Sequence, residues 1–149
     1  MKRFSFKLEK VLELRRYEER KWELKLGEVT GRCTAINHRI RECAEERARA
    51  FSGRSLAGGA GMADFRIADT YAVRLEQEKQ RLSGELEECE REREEIRKKF
   101  VEASRKRKII EKLRERQEQQ YYHEQRKAEQ KEIDDIAAIR YIESIERAG

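Results

Sequence analysis

Proline is missing from all 149 residues, and four of the eight glycines are crowded between Gly53 and Gly61. No position is therefore barred from a helix interior by its ring, and most of the chain's backbone freedom is concentrated in one break. Aromatic residues make up only 7% and hydrophobic residues 37%, against 45% charged. That is too little apolar area for a globular core of this length, although it suffices for a narrow helical seam. Three cysteines, an odd number with no C-x-x-C spacing, indicate neither a disulfide framework nor a zinc site. They read as small apolar knobs in a reducing cytoplasm. No run approaches the ~20 apolar residues of a membrane span, and Lys7, Glu9 and Lys10 interrupt what would have to be the apolar region of a signal peptide.

The chemistry of catalysis is equally thin. No Gly-Lys-Ser/Thr follows Gly58, Gly59 and Gly61, so the cluster reads as a turn and not a phosphate cradle. His38 and His123 are far apart, which leaves metal binding without support, and no cofactor is expected. Carboxylates occur everywhere, so no pair stands out as an acid and base. A thin helical chain offers no enclosed pocket, and no enzyme activity is expected.

What is present is a repeat. Apolar-biased positions step alternately by three and four along Leu8, Leu12, Arg15, Glu19, Trp22, Leu26, Val29, Cys33, Ile36, Ile40, Cys43, Arg47 and Ala50. A second series runs Phe65, Ala68, Ala72, Leu75, Lys79, Leu82, Leu86, Cys89, Arg93, Ile96, Phe100, Ala103, Arg107 and Ile110. Both follow the 3.5-residue repeat of a left-handed coiled coil. The expected fold is all-α: a single long antiparallel two-helix coiled-coil hairpin over 1–149. Its first helix spans about 4–51, its Gly-rich turn about 52–63, and its second helix about 64–147. Asp64 is expected to cap the second helix. A short connection favours antiparallel neighbours within one chain, hence a monomer, over a parallel homodimer.

Equal arms folded near Gly58 would set residue i opposite roughly 116 minus i and bring Phe4 to Lys112, leaving an overhanging C-terminal helix. Its far end carries Ile133, Ile136, Ile139, Ile142 and Ile145 at a strict spacing of three. That spacing drifts roughly 60° per step, so the isoleucines spread around most of the helix and need to be surrounded. The competing reading makes Ile133 to Ile145 a frayed amphipathic tail, or packs it back on Phe4 and Phe6.

Charge is graded as well. The stretch from Arg97 to Arg116, including Arg105, Lys106, Arg107 and Lys108, is strongly basic, and the expected pairing sets Lys2, Arg3 and Lys7 beside it. This collar suits an acidic protein surface or phosphates. It lacks interleaved aromatics and any recognisable binding module, so nucleic acid is not the expected partner.

The opening Phe4-Ser5-Phe6-Lys7-Leu8-Glu9-Lys10-Val11-Leu12-Glu13-Leu14-Arg15 and the closing Arg126-x-x-Glu129-Gln130-Lys131-x-Ile133-Asp134-Asp135-Ile136-Ala137 resemble the FliJ family. That family is a small soluble component of the bacterial flagellar type III protein export apparatus. Asp135 stands where Glu is more usual, a swap that keeps the charge.

The family's members are similar to the γ stalk of rotary ATPases. The resemblance implies binding to the hexameric flagellar export ATPase, promotion of its ring assembly and activity, and contact with the transmembrane export gate protein FlhA and with export chaperones. It places the chain in the cytoplasm, peripherally associated with the inner-membrane export apparatus and without direct membrane insertion. Carried onto this sequence, ring binding falls to Lys2, Arg3, Phe4, Phe6, Lys7, the Arg105–Lys108 cluster, Arg126, Gln130, Lys131, Ile133, Asp134, Asp135 and Ile136. Gate binding falls to Tyr71 and Leu75. The alternative is a general chaperone or escort for export substrates or export chaperones, without a stalk role.

Overall fold

The computed structural model describes residues 2–56 and 61–149, without the side chains of 53–56. Residues 57–60, the centre of the expected Gly-rich turn, lie outside the described residues. Two helices account for nearly everything else: α1, Glu9–Leu56, and α2, Met62–Ala148, of 48 and 87 residues. No strand occurs among the described residues.

The helix ends differ from the expected ones for local reasons. α1 starts at Glu9 because Phe4-Ser5-Phe6 is not helical, and the Glu9 N–H donates to the Phe6 carbonyl at 3.2 Å. It continues to Leu56, with the Ser52 hydroxyl donating to the Ala48 carbonyl at 2.9 Å. α2 starts at Met62, and the Asp64 and Phe65 N–H groups donate to the Gly61 carbonyl at 3.0 and 3.3 Å. Asp64 therefore lies inside the first turn and does not cap it; its charge there still favours the helix dipole.

The chain divides into two compact units, Met1–Tyr17 with Ser104–Gly149, and Glu18–Ala103. Every expected seam position inside the helices is buried or half-buried except Phe65, which is exposed. Leu8, just ahead of α1, is exposed too.

In the unit Glu18–Ala103 the two helices run antiparallel. Val29, Cys33 and Cys89 form one apolar layer with Ile36, Leu86 and Ile96 around it, and Cys43, Leu75 and Leu82 form another with Ile36 and Ile40. The knobs are small, so the buried area is modest and polar rims matter. Arg47 pairs with Glu76 at 2.6 Å while its guanidinium lies 5.7 Å from the Phe51 ring, and Arg32 pairs with Glu92 at 2.8 Å. Trp22 is flanked by the ammonium groups of Lys25, Lys99 and Lys21 at 4.7, 4.9 and 5.7 Å from its ring centre. The indole face thereby holds lysine stems over a seam position.

The register is not the expected one. Cys33 meets Cys89 and not Ser83, and Arg32 meets Glu92 and not Gly84. The reason is that α1 runs on through Ser52 to Leu56, which moves the fold-back towards the C-terminus.

Candidate functional site

All the expected ring-binding residues belong to one unit, Met1–Tyr17 with Ser104–Gly149, and both gate-binding residues belong to the other. In the first of these the N-terminal segment lies antiparallel to α2. Leu12 is completely buried and Phe6 is 7% exposed. Glu9 pairs with Arg114 at 3.3 Å, and Arg16 with Glu111 at 3.3 Å. The Phe4 ring meets Tyr121, ring centres 5.7 Å apart, and the Tyr121 hydroxyl donates to the Lys2 carbonyl at 2.9 Å. Tyr122 stands edge-on to Tyr121 at 5.4 Å.

This replaces the expected contact of Phe4 with Lys112 and carries the pairing nine residues, about two and a half turns, further along α2. Tyr121 is the anchor that sequence reasoning missed. The signal was present: continuing the alternation of four and three from Ile110 passes Arg114 and arrives at Tyr121.

Past that anchor, α2 stands alone. Residues 126–149 are all exposed, and the five isoleucines are 52–59% exposed. That near-equality shows that no side of this helix is packed against another described segment. The tail does not fold back on Phe4 and Phe6, because those two side chains are engaged at Tyr121 and in the core. Local bonds hold the helix: Gln130 donates to Asp134 at 2.9 Å, and the Ser144 hydroxyl to the Tyr141 carbonyl at 2.7 Å. At its root, Glu118, Gln119, Tyr122, Gln125, Arg126 and Glu129 line an open groove of about 550 Å³. Every lining residue comes from one helix.

Each expected ring-binding residue has a definite place. Lys2, Arg3, Lys7, Arg105, Lys106 and Lys108 are exposed; Phe4 and Arg107 are half-buried. Arg107 lies on the seam and pairs with Glu111, the carboxylate that Arg16 also meets. Arg126, Gln130, Lys131, Ile133, Asp134, Asp135 and Ile136 are exposed on the free helix. Phe6 is the exception, a core residue whose role is to fix the N-terminal segment.

In the other unit Tyr71 is 45% exposed and donates its hydroxyl to Glu46 at 3.0 Å. That bond to a carboxylate raises the phenol above its ordinary value. Leu75 is buried beside Cys43 and Leu82 and offers a partner nothing directly.

Among the described residues there is no group of three or more His, Cys, Asp or Glu able to hold a metal ion. No described helix is long and apolar enough to cross a membrane. A family model described as flagellar FliJ protein matches residues 4–146. No curated protein and no solved structure matches the chain.

Proposed function

The chain belongs to the FliJ family and is thereby a component of flagellar protein export, and from that premise we propose a non-catalytic stalk role at the export ATPase. The unpartnered helix 126–149 enters the hexameric export ATPase, promotes assembly and activity of its ring, and links it to the export gate. One observation carries this reading above the others: five isoleucines exposed to nearly the same degree around a helix with no cover. Such a helix gains free energy only where a partner surrounds it, as the lumen of a ring does and a flat surface does not.

Exposed Lys2, Arg3 and Lys7 lie by the root of that helix, and exposed Arg105, Lys106 and Lys108 lie roughly 18–21 residues ahead of residue 126 along α2; together they supply basic charge for an acidic ring mouth. Tyr71 is the accessible half of the gate contact to FlhA, and Leu75 supports it from the core. For the chain to favour the assembled ring, its contacts must be stronger with the closed hexamer than with free subunits.

The test is ATPase turnover and ring size with and without the chain, in parallel with a chain deleted from Ile133 onward. The full chain should raise turnover and shift the ATPase towards hexamers; the deletion should do neither, while remaining helical and still binding export chaperones. Unchanged turnover with the full chain, or equal stimulation by the deletion, would reject the stalk role; the second result would favour an escort.

A further inference from the structure

Two of the three cysteines, 56 residues apart in sequence, face each other across the helix pair of the unit Glu18–Ala103, with sulfur atoms 2.7 Å apart. Cys33 is 2% exposed and Cys89 6%. The Cys33 thiol donates to the Cys89 sulfur, and the Cys89 thiol in turn points at the Val29 carbonyl, 3.7 Å away. Both are free thiols. Cys43 is equally buried but lies in the neighbouring layer, against Leu75 and Leu82.

We propose that Cys33 and Cys89 form an oxidative modification site, closing an inter-helical disulfide when the chain meets hydrogen peroxide. Three facts carry it. The sulfurs need approach by only roughly 0.7 Å to reach bonding distance. The two residues come from opposite helices, so the bond crosses the seam, whereas Cys43 has no such partner. Closing the bond also orphans no polar group, because the Val29 carbonyl is already held in the α1 ladder.

The chemistry balances. One cysteine, as thiolate, attacks a peroxide oxygen; the O–O bond breaks, a sulfenic acid forms, and hydroxide leaves to take up the thiol's proton as water. The facing thiol then attacks the sulfenic sulfur, the S–O bond breaks, and a second water leaves. Two thiols lose two electrons and peroxide gains them. Reduction by small-molecule thiols restores the starting state.

The setting makes this a slow site. The Cys33 hydrogen bond and burial push the Cys89 thiol up to about 11, so Cys89 thiolate is scarce near neutrality. The rate should accordingly climb as pH rises from 7 towards 10.

The test uses the intact chain. After peroxide treatment, unreacted thiols are alkylated in denaturant and the peptides mapped by mass spectrometry. The expected result is a monomeric chain with Cys33 joined to Cys89, two hydrogens lighter, and Cys43 alkylated. The Cys43→Ser chain should cross-link at the same rate. In Cys33→Ser, no cross-link should form. The cross-linked chain should melt about 10 °C above the reduced one, as expected for a bond closing a loop of this size. Three alkylated cysteines after peroxide, a linkage through Cys43, or a dimer as the main product would each overturn the proposal.

Discussion

Gly27, Gly31 and Gly84 lie off the heptad seam in the sequence, and the structure adds that each has open surroundings, which makes each a local weakness of its helix. A Cβ added at Gly27, Gly31 or Gly84 would meet nothing within 4 Å, and no described glycine has a positive φ. Alanine at each should therefore stabilise by about 1 kcal/mol, through helix propensity alone. Denaturant midpoints of the three single variants and the triple variant check this, and near-additivity is expected because the sites share no partner. The opposite extreme is Leu12, fully buried in a unit with few large core side chains. Leu12→Ala should cost about 2–3 kcal/mol, whereas Ile139→Ala, at a 57% exposed position, should change stability by less than about 0.5 kcal/mol. Equal losses at the two positions would mean that the isoleucine helix is packed within the chain after all.

At the scale of the helices, charge pairs along the surface make stability depend on pH. The Arg81 hydrogen bond holds the Glu78 carboxyl below its ordinary value, and Arg97 does the same for Glu94. A carboxylate with a lowered folded value stabilises above its unfolded value and loses that contribution as pH falls through the folded one. Helicity followed by circular dichroism should therefore hold from neutrality down to about pH 5 and decline gently towards about pH 3. Glu78→Gln with Glu94→Gln should flatten that decline.

Which residues would face inward was legible from the sequence, because the alternation of three and four fixes a helix face whatever lies opposite. The register was not. It depends on where α1 stops, and neither Ser52 nor Gly53 stops it, since glycine weakens a helix without the steric block of proline. Two further features followed the register out of sight: the meeting of Cys33 with Cys89, and the docking of Phe4 on Tyr121. The exposed isoleucine helix was legible in outline, because a spacing of three cannot keep one face.

For the molecule as a whole, 45% charged residues and a net charge of only +5 mean that local charge distribution governs how it meets a partner. The proposed ring contact has two components with different salt responses. Attraction through the exposed basic side chains is screened over about 10 Å at 0.1 M salt, whereas burial of isoleucine is not. Binding to the isolated ATPase should therefore weaken several-fold between about 50 and 200 mM salt and then level off. The chain carrying Arg105→Glu, Lys106→Glu and Lys108→Glu should lose most of that salt sensitivity while keeping the residual affinity. Arg107 is left untouched in this variant, since its pairing with Glu111 on the seam would confound binding with folding. The chain carrying Ile133→Asp and Ile136→Asp should do the reverse, keeping the salt slope and losing the plateau. Titrations of both variants against salt separate the two components; if the basic substitutions leave the slope unchanged, those residues do not contact the ring, and the salt sensitivity of binding comes from other charges such as Lys2, Arg3 and Lys7.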